Sequence, residues 1–96
     1  MKMLMIVCNE ALDADVMEAM EACGIQGFTR FTQVQGKGVA SGTHLGNDVW
    51  PGMNNVILAV TDESRTARML EAVAGMRKNL SAEGVKAFVL NVESAT

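Results

Sequence analysis

The alternation of apolar and polar positions divides the chain into six elements. Lys2 to Cys8 is apolar on both alternating sets, Met3, Met5 and Val7 on one and Leu4, Ile6 and Cys8 on the other. That predicts a central strand. From Asp13, a residue type that caps helices, Val16, Met17, Met20 and Cys23 recur at the helical period, and Gly24 supplies a left-handed stop. Gly27 to Val34 interleaves Phe, Thr and Val with polar residues, as a partly exposed or edge strand does. Asn55 to Val60 is nearly all apolar and predicts the second central strand. A second helix is expected from about Asp62, with Glu63 in its first turn. Met69, Leu70, Val73 and Met76 form its buried stripe, and Arg65, Arg68, Arg77 and Lys78 stay in solvent. Val85 to Val92 follows a turn at Glu83 and Gly84 as the last strand, and Glu93 to Thr96 is expected to fray.

The order βαββαβ is the split βαβ arrangement, in which two interleaved crossovers place both helices over one face of the sheet. The expected fold is therefore α+β: a ferredoxin-like sandwich of a four-stranded antiparallel sheet and two helices, one domain over residues 1–96. The second face of that sheet has no helix. Because the central strands are apolar on both sides, the bare face would be a large exposed patch, and an oligomer that buries it is expected.

Composition narrows the partners more than the fold. Apolar residues are 49% and charged residues 20% of 96, a globular balance with room for one core. A net charge of -3 gives no broad positive field for a phosphate backbone, so nucleic-acid binding is not expected. No apolar run has the roughly 18 residues of a membrane span, and Met1 to Cys8 lacks the features of a signal peptide. The expectation is a cytoplasmic protein without membrane insertion. Cys8 in a strand and Cys23 at a helix end read as reduced, buried small apolar residues.

Candidate chemistry is concentrated between Val34 and Met53. That connection holds five of the nine glycines and the only Pro, Trp and His of the chain. Unstructured connections of such length in small domains are usually functional or mobile. Gly36-Lys37-Gly38 directly follows a strand: paired glycines let backbone amides approach an anion while Lys37 supplies charge, or the glycines form a bulge where the strand leaves the sheet. Trp50 beside Pro51 is either an anchor for a partner protein or a cover over a subunit junction. His44 and Asp48, four positions apart, suggest a divalent-metal site that only a symmetric oligomer would complete, the alternative reading of the chain as a metal-binding or metal-tolerance protein of CutA-like type. Ser41 with His44 is the one pair suggestive of nucleophilic catalysis, and it lacks an orienting partner and an oxyanion site. No catalytic residue and no resident metal or cofactor is assigned, and the chain is not expected to be an enzyme.

The βαββαβ order, the strand Gly27-Phe28-Thr29-Arg30-Phe31-Thr32-Gln33-Val34 and the Gly36-Lys37-Gly38 exit together resemble the PII signalling family. Gly42-Thr43-His44-Leu45-Gly46 and Val49-Trp50-Pro51-Gly52-Met53-Asn54-Asn55 look like the compact loop of its divergent PII-like members. The resemblance implies a homotrimer with buried sheets that senses a small-molecule effector, an adenine nucleotide (ATP, ADP or AMP), in clefts between subunits. It also implies that the 35–53 loop is presented to a target protein, itself unidentified. Carried over by residue, Thr29 lines the adenine pocket, Gly36, Lys37 and Gly38 stand near the phosphates, and His44 and Trp50 belong to the partner-binding loop. The chain departs from the family in five respects. The strand has one extra residue between Thr29 and Val34. Val39-Ala40-Ser41-Gly42 stands where the family has Gln-Lys-Gly, and the modified tyrosine is missing from a chain with no Tyr. Leu80 to Lys86 replaces a Gly-Asp-Gly-Lys phosphate loop, and the C-terminal arginines are absent.

Overall fold

The computed structural model describes residues 1–36, 53–79 and 84–96. Its elements are strand β1 (Lys2–Asn9), a single 3-10 turn (Glu10–Leu12), helix α1 (Asp13–Ala22), strands β2 (Thr29–Val34) and β3 (Asn54–Thr61), helix α2 (Glu63–Asn79) and strand β4 (Val85–Asn91). The four strands form one antiparallel sheet in the order β2-β3-β1-β4. This is the expected α+β arrangement, with the two apolar strands β1 and β3 at the centre and the more polar β2 at an edge.

Register explains why β1 and β3 carry apolar residues on both faces. Leu4, Ile6 and Cys8 of β1 share a face with Ile57 and Ala59 of β3, and all five are buried against Val16, Met20 and Cys23 at the α1 end and Met69 and Val73 of α2. Burying such side chains is the main stabilising term, at about 25 cal/mol per Å². The alternate set, Met3, Met5 and Val7, is only half-buried and lies in register with Val60, Leu58 and Val56 and with Leu90, Phe88 and Lys86. Phe31 and Thr29 extend the same face on β2. Phe31, Val60, Phe88 and Leu90 are each close to half exposed. The face opposite the helices is therefore a continuous apolar surface, as the double-sided pattern predicts.

Four local expectations change. Strand β2 starts at Thr29 and not at Gly27. Asp13 does not cap α1: Asn9 caps the 3-10 turn by accepting from the Ala11 amide at 2.9 Å, and Asp13 falls in the first turn of α1. Leu70 is 39% exposed and not part of the buried stripe, because Thr66, Met69 and Val73 face the core and Leu70 is turned toward β4. Arg77 is not merely solvated, since its guanidinium donates to the Val85 carbonyl. Asp62 does open α2, accepting from the Arg65 amide at 2.8 Å, and that bond holds its carboxyl below the usual range. Gly24 takes φ +79, the left-handed conformation that ends α1. Cys8 and Cys23 are free and buried.

Candidate functional site

Three connections meet at one end of the sheet. The Asn9 amide donates to the Gly84 carbonyl at 2.7 Å, and the Glu10 amide donates to the Met53 carbonyl at 2.8 Å. The turn from β1 into α1 is thus bonded both to the start of β4 and to the residue that leads into β3. Strand β2 leaves the sheet at the same end, because Val34 pairs with Asn54. Gly36 follows it, so close to β3 that a Cβ there would come within 2.7 Å of Asn54 Nδ2. At Gly84 an added Cβ would lie 3.1 Å from Asn9 Cβ and 3.8 Å from the Asn9 amide nitrogen. A side chain at Gly84 would crowd the turn after β1, and one at Gly36 would have to displace the Asn54 carboxamide.

The exit of β2 is a bulge. Between Phe31 and Val34 the strand advances three positions while β3 advances two, from Val56 to Asn54. Gln33 takes φ 55, a left-handed conformation unusual for a residue with a side chain. The bulge accommodates one residue more on β2 than on β3 and leaves Phe31 and Val34 opposite the open-face residues Val56 and Asn54.

A chain of polar contacts lies behind the bulge on the helix side. Asn55 Oδ1 accepts from the Gln33 amide at 3.3 Å, and Asn55 Nδ2 donates to Asp13 Oδ1 at 2.7 Å. Arg30 Nη1 donates to Asp13 Oδ2 at 3.2 Å. Asn55 is 6% exposed, so its carboxamide is a buried group with both ends bonded. Cys8, paired with Asn55 across the sheet, is pushed up to about 11, first by burial and then by the Asp13 carboxylate.

The expected site residues separate into two places. Thr29 lies on the open face, in a shallow depression of about 400 Å³ with Met3, Phe28, Leu58 and Val60. Gly36 lies beyond the bulge at the converging sheet end. The two are brought to one strand and its continuation, not into one enclosed pocket of this chain. Lys37, Gly38, His44 and Trp50 lie outside the described residues, as do Asp48 and Ser41. Lys86, the second residue of β4, lines a groove of about 290 Å³ against α2 with Leu70, Arg77 and Phe88. Among the described residues no three His, Cys, Asp or Glu side chains converge, and no helix is long and apolar enough to cross a membrane.

The sequence reading passed over Asn55 and Asp13 as site-framing residues. The available signal was Asn55 itself, a polar residue in the inward set that continues as Ile57 and Ala59, where an amide needs partners.

Comparison with solved structures places this fold among PII-like proteins. The PII-like signalling protein TTHA0516 of Thermus thermophilus superposes with a TM-score of 0.67 at 23% identity, over 95% of this chain and 85% of that one. CPII of Thiomonas intermedia K12, a nitrogen regulatory PII-like protein bound to ADP, AMP and bicarbonate, gives 0.73 at 19% identity, over 99% and 92%. CPII bound to ADP and bicarbonate gives 0.70 at 22% identity, over 95% and 84%. A comparison with curated protein sequences finds no match. The family model described as Nitrogen regulatory protein P-II matches residues 1–96, and the chain belongs to that family.

Proposed function

We propose that this protein is a PII-like regulator that assembles as a trimer, senses an adenine nucleotide in clefts between its subunits and presents the 35–53 connection to a partner protein. The family is one of signalling proteins and not of enzymes, and no reaction is assigned. The observation that carries the reading is the open apolar sheet face, with Phe31, Phe88 and Leu90 exposed, ending in the glycine exit of β2. Such a face buries itself in another copy, and a second subunit would complete walls that Thr29 and Gly36 begin separately in one chain. CPII supplies the ligand classes to try, since its structures hold ADP, AMP and bicarbonate. Thr29 would line the base pocket, Gly36, Lys37 and Gly38 the phosphate side, and His44 and Trp50 the partner loop.

Thermal unfolding in ATP, ADP, AMP and bicarbonate, with native mass spectrometry of the same samples, tests this. A binding nucleotide at 100 times its Kd adds about 2.7 kcal/mol of stability. The expected result is a trimer with a nucleotide-specific rise in Tm that Gly36→Val reduces. An intact trimer indifferent to every nucleotide would remove the ligand from the proposal.

A further inference from the structure

We infer that Asp13 and Asn55 are positioning residues that hold the β2 bulge and thereby decide which face Gly36 presents to the ligand. The inference rests on the reading of the converging sheet end as the nucleotide site.

The contacts form a closed ring across three elements. Arg30 of β2 bonds Asp13 of α1, Asp13 bonds Asn55 of β3, and Asn55 returns to Gln33 of β2. Arg30 stands before the bulge and Gln33 inside it, so the ring ties the regular part of the strand to the irregular part. The carboxylate also sets the polarity of the ring. Asp13 only accepts, so it faces the Asn55 amino group and turns the Asn55 carbonyl oxygen toward the Gln33 N–H. Gln33 at φ 55 is strained without such support, because a Cβ disfavours left-handed backbone. If the bulge relaxed into regular pairing, β2 would slip by one residue and every side chain beyond it would change face. Val34 would leave its place opposite Asn54, and Gly36 its close approach to the Asn54 side chain.

A glycine at position 33 adopts the left-handed conformation without strain and so replaces the support that Asn55 gives. The experiment measures ADP affinity by calorimetry for wild type, Asn55→Ala and Asn55→Ala/Gln33→Gly. Alongside it, NMR follows Gln33 amide exchange and the cross-strand contact between Val34 and Asn54 without ligand. Asn55→Ala is expected to weaken ADP about tenfold or more, to speed Gln33 exchange and to lose the Val34 to Asn54 contact. The double variant is expected to regain both the contact and the affinity. If Asn55→Ala does not fold, Asp13→Ala with the same Gln33→Gly partner answers the question. An unchanged Val34 to Asn54 contact in the single variant, or a weak affinity that Gln33→Gly leaves weak, overturns the inference. Should wild type bind no ADP, the nucleotide reading fails by itself, and the ligand-free contact still decides whether Asn55 holds the bulge.

Discussion

Arg77 Nη1 donates to the Val85 carbonyl at 2.6 Å, binding the last turn of α2 to the first residue of β4. Val85 is buried, with 1% of its surface exposed, and its carbonyl accepts a hydrogen bond from a charged donor. Arg77→Ala is expected to lower stability by about 1–2 kcal/mol, and Arg77→Lys by less, in urea titrations. Equal stability of wild type and Arg77→Ala would show that water replaces the bond.

The open sheet face supplies a second prediction. Phe88 pairs with Met5 at the middle of that face and is 48% exposed. In the proposed trimer a carboxylate there would be driven against apolar side chains of a neighbouring copy. Phe88→Asp is expected to reduce the mass measured by sedimentation equilibrium to that of one chain while leaving far-ultraviolet dichroism unchanged. Retention of the wild-type mass would place the subunit contact elsewhere.

Cys8 gives a pH dependence of known sign. Its thiol is raised from 9.0 to about 11, so the folded chain keeps a proton that the unfolded chain gives up. The neutral thiol's contribution is fully present below pH 9 and declines as pH rises toward 11, by roughly 2–3 kcal/mol for a shift of that size. Denaturation of wild type and Cys8→Ala between pH 8 and 11 should show wild type losing stability faster. The native thiol should also resist alkylation at pH 8 until the chain unfolds.

Gly24 stops α1 at φ +79 and lies beside Arg65, whose Nε would be 3.2 Å from an added Cβ. Gly24→Ala should therefore destabilise by about 1–2 kcal/mol. Gly27, with no atom near an added Cβ and no left-handed φ, is the control and should tolerate Ala with a far smaller change.

Much of the architecture was legible because strands and helices with a buried face must repeat their apolar residues at periods of two and 3.6. The double-sided pattern of Lys2–Cys8 announced both a central strand and an uncovered sheet face, and the register shows both. Leu70 was misplaced for a local reason: next to Met69 on the helix, it lies about 100° round the axis, far enough to leave the core. Asp13 was misjudged because Asn9, four residues earlier, caps a 3-10 turn first. The sequence offered a bulge at Gly36-Lys37-Gly38, whereas the one described lies between Phe31 and Val34. Its left-handed Gln33 and the ring through Asn55 and Asp13 join residues up to 42 positions apart, a relationship that no local period records.

The irregularity at Phe31–Val34 also governs how this strand would be aligned with one that pairs without a bulge. A gap placed inside the bulge keeps Thr29 in step when counted from the N-terminal side and Gly36 in step when counted from the C-terminal side. A gap placed before Thr29 or beyond Gly36 shifts one of them onto a neighbour that points to the opposite face, and assigns a residue's role to the wrong position.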